Sequence, residues 1–529
     1  MISSPHYLAT QAGLRILRAG GTALDAAVAT GAVLCVVYPH MNGLGGDGFW
    51  LIHESTTGLM YGINASGYAG TNVSYSRYLD HGYKAIPPRG ILAACTVPGM
   101  VSGWEMALEL SKRWGSQISL ATVLEDAVTL AEEGFPVAPS LARWLAKDCA
   151  QRCGPQLHKN GLFARTFLPE GRIPHTGERL RLSALSRSLR SLQKDGLASF
   201  YHGHIARQVT DWLLEQNGLL TFTDFDEYHA QWVQPLTVAY RECEACNLPP
   251  NSQGAASLAL LNICNNLDIA GMGEGSADYI HALVEATKLA FQERDRWLAD
   301  PAFRHIPLDM LLSPEHGRAL ARQIRMDYAQ PFPKGLAVGG DTCWFGVVDA
   351  HGNAVSAIQS LFHDFGSGLM ASDTGVILQN RGCFFSLDRR HPNCLEPRKR
   401  PLHTLNPPML RQKGRPVLVY GTMGGEGQPQ TQTAIVTRIL DFGLSPQDAV
   451  AAPRWLYGRS WGAETNGLLL EARFPHNVVQ ELQRRGHAVT LSPMRTESMG
   501  HAGAIWRDTA HDMLWGAADV RGDGLAAGY

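Results

Sequence analysis

Two β-type runs with a threonine at their mouth constrain the folding of this chain more than any other feature. Cys343, Phe345 and Val347 alternate with Trp344, Gly346 and Val348, and a second run, Ala354 to Ser360, returns after Asp349-Ala350-His351-Gly352-Asn353. Period two on both sides of a turn-forming segment specifies a hairpin, with Thr342 at its open end. Upstream, Gln330-Pro331-Phe332-Pro333-Lys334-Gly335 and Gly339-Gly340 are loop formers, and an exposed segment is expected there. If the Asp341–Thr342 bond in such a segment were cut, Thr342 would become a new N-terminus. A plain surface loop entering a hairpin is the other reading of the same residues.

Around the hairpin the chain alternates helical and strand-like stretches. Tyr7 to Arg18 has helical spacing and stops at Gly20-Gly21. Thr22 is placed to cap a second helix, Ala23 to about Val37, whose Ala- and Val-rich surface on every side predicts full burial. The run Asn42 to Phe49 is glycine-rich, but here the glycines precede a strand, Phe49 to His53. A dinucleotide fingerprint needs strand, turn and helix in that order, so close backbone packing is the better expectation. Further strands are expected at Met60 to Ile63 and Leu418 to Gly421. Helices are expected at Leu120 to Glu133, Leu180 to Leu192, Asp278 to Ala299 and Gln432 to Leu440, with another after the break Leu248 to Gly254. Glu293, Arg294, Asp295 and Arg296 are read as a solvated or salt-bridged face. Strands on both sides of Thr342, covered by helices, suggest stacked layers of helix, sheet, sheet and helix.

Composition removes several function classes. At 529 residues and 45% hydrophobic content the chain can bury a large core, and its length alone allows about three or four domains. A formal net charge of −2 gives no electrostatic case for nucleic acid or an anionic membrane. The N-terminus lacks a basic segment followed by an apolar one, and no stretch of about 18 apolar residues exists, so a cytoplasmic protein without signal peptide or membrane span is expected. The 10 cysteines are scattered and are expected to be reduced thiols. Cys243-Glu244-Ala245-Cys246 is a lone pair of thiols without the second pair that a zinc site needs. None of the histidine spacings points strongly to a metal, and His363-Asp364 reads equally as a structural or a functional pair.

The chemistry available to Thr342 is distinctive. A free N-terminal threonine carries a hydroxyl and an α-amine of pKa about 7.7 to 8.0, so nucleophile and general base sit on one residue. Its Oγ can itself attack the carbonyl of residue 341, and water can hydrolyse the resulting ester, so no outside protease is needed. Acyl chemistry also needs an oxyanion site, and Gly424-Gly425, in a turn between strand and helix, can present backbone N–H groups.

These residues, with others in the same order, resemble the γ-glutamyltranspeptidase family of N-terminal-nucleophile hydrolases. The matching stretches are Gly21 to Ala29, Asn42 to Phe49, Cys95 to Gly99, Pro249 to Gly254, Leu298 to Phe303, Thr342 to Gln359, Lys399 to Leu402, Gly421 to Gly425 and Leu525 to Tyr529. The resemblance implies an α+β, four-layer αββα sandwich, self-cleaved into fragments 1–341 and 342–529 that stay together as an αβ heterodimer, with a dimer of these as a further assembly. It also implies Thr342 as nucleophile, Ser360 orienting it where relatives carry a second threonine, and Gly424 and Gly425 as the oxyanion hole. No cofactor is required by that chemistry, and the partner is a small-molecule substrate.

Departures from the family pattern bear on that substrate. Relatives acting on γ-glutamyl compounds hold the α-ammonium with amide and carboxylate side chains, whereas the matching positions here are Phe362, Arg381 and Phe384. His403 and Thr404 stand where paired serines are usual, and the arginine that grips the α-carboxylate has no counterpart around Ile63-Asn64-Ala65. Arg381 is suited to a substrate carboxylate, and the two phenylalanines shorten the cavity. A compact amide with a carboxylate and no ammonium is expected, and within the family oxamate, hydrolysed to oxalate and ammonia, meets that demand. γ-Glutamyl hydrolysis or transfer, side-chain acylase activity, and non-catalytic binding of a small molecule are the alternatives.

Overall fold

The hairpin forms as the alternation dictates, Asp341–Val348 pairing antiparallel with Ala354–Phe362. The structure is a computed structural model in which residues 1–147, 161–331, 341–458 and 467–529 are described, Asp341 by its backbone alone. Residues 332–340 of the expected loop, and Cys149 and Cys153, lie outside the described residues. The connecting turn is held by Asp349. Its carboxylate accepts N–H bonds from His351 and Asn353 and from the Asn353 amide, and it reaches Ala23 N at 3.0 Å. That last contact puts an anion at the N-terminus of the helix Ala23–Val37, where the helix dipole favours it. Thr22 and Asp25 complete a capping box at the same end, and every residue of this helix is buried, as its composition predicts.

Two sheets follow. The first orders its seven strands Leu525–Ala527, Ile2–Ser4, Asp341–Val348, Ala354–Phe362, Asp47–His53, Met60–Ala65, Gln231–Val233, and Ile2 sits opposite Ala527. The second has six: Met513–Ala518, Ala502–Asp508, Arg415–Thr422, Met409–Gln412, Cys243–Asn247, Leu236–Tyr240. Side-chain alternation assigns each face. Phe49, Leu51, Trp344 and Ile358 of the first sheet meet Cys246, Met409, Val419 and Ile505 of the second in one buried cluster between them. Cys343, Phe345, Val347, Val355 and Ala357 face the other way, into a cluster shared with the helices Ala23–Val37 and Leu120–Glu133. Beyond the second sheet, Leu410, Leu418 and Tyr420 pack with the helices Gly254–Cys264, Ala277–Trp297 and Gln428–Leu440. The result is the expected α+β sandwich of four layers, αββα.

Some expectations shift. The helix expected from Leu180 starts only at Ser183 and runs to Asp195, because Leu180 pairs with Phe135 in a short two-stranded ribbon. Cys243 and Cys246 point to opposite faces of their strand, which rules out a shared zinc ion. The cysteines among the described residues are all free thiols. No helix among the described residues is long and apolar enough to cross a membrane.

Candidate active site

Thr342 has the strand parity of Trp344, so it lies on the face turned toward the second sheet, and it is 1% exposed. Its Oγ donates to Ser360 Oγ at 3.4 Å. Ser360 sits where the pairing of the two strands slips between Gln359 and Phe362. The serine hydroxyl accepts Phe362 N–H at 2.7 Å across the bulge, and Phe362 takes φ +84, a conformation costly for an aromatic residue. That turn directs the Phe362 ring under the Arg381 guanidinium, 4.0 Å from its centroid. Phe384, half-buried, places its ring 5.9 Å from that of Phe362.

Arg381 is fully buried. One terminal nitrogen donates to Ser360 Oγ at 3.2 Å and the other to Thr404 Oγ at 3.0 Å, while its Nε–H has no partner among the described residues. Burial pulls the guanidinium down to about 9, with Asp47 opposing, so the side chain is still a cation at neutral pH. A cation one hydroxyl away from Thr342 favours negative charge developing on the threonine oxygen.

The glycines of the turn complete the cluster. Gly424 takes φ +121 and Gly425 φ +53, backbone that L side chains rarely adopt. Neither amide hydrogen is spent on a backbone carbonyl among the described residues. Gln253 ties this turn to the rest: its side-chain amide donates to Gly425 O at 3.0 Å and Thr404 O at 2.6 Å. Hydrogen bonds therefore run without a gap from Thr342 through Ser360, Arg381, Thr404 and Gln253 to Gly425. Arg294, read from sequence as part of a solvated or salt-bridged face, is salt-bridged but buried. It joins Glu426, the next residue in the turn, at 2.6 Å and also approaches the Gln253 side-chain oxygen.

His403 does not open onto the cluster as a spare donor. Its Nδ1 accepts Leu405 N–H, so Nε2 carries the proton and donates to Asp47 at 3.0 Å. Burial and the nearby Arg381 keep this imidazole neutral. Asp47 is the group that reading from sequence missed. Completely buried, it accepts from Gly67 N, Gly99 N, the Gln379 amide and His403. Burial pushes its carboxyl up to about 7, against the pull of Arg381 and of those N–H donors. The signal was an aspartate inside the glycine run. A Cβ at Gly45 would lie 2.0 Å from Ile377 O and one at Gly46 2.4 Å from Ser360 O, so this is the expected close backbone packing, and it carries Asp47 opposite Ser360. His363 bonds Asn380 by backbone and ring.

Residues 9–529 match the family model described as Gamma-glutamyltranspeptidase. The chain belongs to the γ-glutamyltranspeptidase family. It is 46% identical over 528 residues to a glutathione hydrolase-like YwrD proenzyme of Bacillus subtilis, covering 100% of this chain and 98% of that protein. To an oxamate amidohydrolase proenzyme of Klebsiella pneumoniae it is 44% identical over 530 residues, again covering 100% and 98%. The crystal structure of a cephalosporin acylase from Bacillus halodurans superposes with a TM-score of 0.91 at 35% identity, covering 100% of this chain and 95% of that one. This γ-glutamyltranspeptidase-family chain thus shares its architecture with enzymes named hydrolase, amidohydrolase and acylase, two of them described as proenzymes.

Proposed function

We propose that this chain is an amidohydrolase that cuts itself between Asp341 and Thr342 and then hydrolyses a compact amide bearing a carboxylate, oxamate being the compound that fits best. The observation that carries the substrate class is Arg381: a buried cation, stacked on Phe362, with hydroxyl partners and an Nε–H left over. A substrate carboxylate is the natural acceptor for such a donor. An ammonium group placed beside Arg381 would meet like-charge repulsion instead.

In the self-cleavage step Thr342 Oγ attacks the carbonyl carbon of residue 341 and displaces the Thr342 nitrogen, and water hydrolyses the ester. The products are fragments 1–341 and 342–529. The freed α-amine takes the Thr342 hydroxyl proton as Oγ attacks the substrate amide carbon. Gly424 and Gly425 N–H groups hold the oxyanion, and Ser360 orients the threonine hydroxyl. Collapse expels ammonia with the proton from the α-ammonium, leaving an acyl-threonine ester. Water, activated by the same amine, releases oxalate. This chemistry needs no cofactor.

γ-Glutamyl hydrolysis or transfer is the second reading, favoured by the 46% identity to the glutathione hydrolase-like protein. Ammonia release from oxamate, compared with aniline release from a γ-glutamyl anilide, separates the two. The mechanism is tested by Thr342→Ala: intact mass is expected to show one uncut chain without ammonia release. An uncut variant that still hydrolyses oxamate sinks the nucleophile assignment. An unsubstituted chain that stays uncut on long incubation would favour a binding protein instead.

A further inference from the structure

Outside this cluster, His281, Glu285 and His487 bring three ligand atoms within 4.8 Å of one another, all buried. His281 and Glu285 lie one turn apart on the helix Ala277–Trp297, so both face the same way. His487 follows the helix His476–Arg484 and is fixed by its N–H bond to Leu482 O. The protonation pattern is decided by one backbone contact. His281 Nε2 lies 2.7 Å from Arg325 O, and since a carbonyl only accepts, the proton is on Nε2. His281 Nδ1 is then a bare lone pair, aimed at His487 Nε2 at 2.8 Å. A ring nitrogen anchored to a carbonyl with its partner nitrogen bare is how metal-binding imidazoles are held.

We propose that His281 Nδ1, His487 Nε2 and the Glu285 carboxylate bind one divalent cation of the zinc class. Two imidazoles and a carboxylate are a borderline-soft donor set that suits zinc with a water in its fourth position. No net proton need leave: His487 moves its proton from Nε2 to Nδ1, and the two ring nitrogens, 2.8 Å apart, part to the roughly 3.3 Å that tetrahedral coordination needs as the ion takes the proton's place. Glu285 has lone pairs to spare, since Lys288 Nζ at 2.6 Å and Gln330 N–H at 3.1 Å use two of about four. Lys288 also donates to Gln330 O and lies 4.9 Å from the centre of the Tyr457 ring, contacts that keep its ammonium placed when the ion arrives.

The ion would clamp the helix Ala277–Trp297 to the residue after His476–Arg484. If the chain is cut at 341/342, these belong to different fragments, so this consequence rests on that reading, whereas the binding itself does not. The full chain, stripped with EDTA, is titrated with zinc chloride by calorimetry without substrate, and crystals soaked in zinc are examined at the zinc absorption edge. One ion per chain is expected, with an anomalous peak between the three side chains, and His487→Gln or Glu285→Gln should each weaken binding at least about tenfold. No binding, a peak elsewhere, or unchanged affinity in a folded His487→Gln overturns the proposal. Should the variants not fold, the anomalous map of the unsubstituted protein decides. A chain that binds zinc here but is never cut, or releases no ammonia, sinks only the functional reading.

Discussion

Asp47 shows how much a single buried carboxyl can set. The folded chain keeps its proton up to about 7, whereas an unfolded carboxyl releases it near about 4. Between those values folded molecules bind more protons, so the stability owed to the neutral form is whole below about pH 4 and is lost as pH rises through 7. Three units cap this at about 4 kcal/mol. Asp47→Asn, neutral throughout, is expected to flatten the slope: from about pH 5 to about pH 8 the thermal midpoint of the unsubstituted protein should fall relative to the variant. Parallel curves would remove the assignment. Thr342, Arg381 and the glycine pair were readable because each carries its chemistry locally or in a family motif. Asp47 was not, since Gly67, Gly99, Gln379 and His403 come from four separate segments that only the fold assembles.

At the scale of elements, the contact between the sheets is tight where Thr342 needs support. A Cβ at Gly421 would lie 2.2 Å from the Trp344 ring, two residues along the same face from Thr342. Gly421→Ala must therefore displace the indole, which donates to Ser356 Oγ at 2.9 Å. A loss of about 1–3 kcal/mol is expected, read as a lower urea midpoint, together with reduced turnover. Undiminished stability would mean that the sheets yield more easily than this contact implies. The hairpin and the helices Tyr7–Arg18 and Ala23–Val37 were legible because period and caps are written in adjacent residues. Arg294 was legible only in part. Its neighbours in sequence suggested ion pairs, but burial beside Glu426 depends on a turn 132 positions away.

Across the whole molecule, residues before and after position 341 interleave. The first sheet sets Asp341–Val348 and Ala354–Phe362 between Ile2–Ser4 and Asp47–His53, and the second sets Arg415–Thr422 and Met409–Gln412 beside Cys243–Asn247. A cut at Asp341–Thr342 removes one covalent link and no strand pairing, so the two fragments are expected to co-migrate until the fold itself is denatured. The pairing of Ile2 with Ala527 has a further consequence for protein engineering. Because those two residues are direct neighbours, the chain is suited to circular permutation: a gene opened at Thr342, with Tyr529 joined to Met1 by a short linker, ends at Asp341. Once its initiator methionine is removed, such a protein starts life with the threonine amine already free. Ammonia release from oxamate by this permutant, with no processing step, is the expected outcome. A folded but inert permutant would show that an exposed threonine amine is not sufficient, and that the act of cleavage supplies something the finished fold does not.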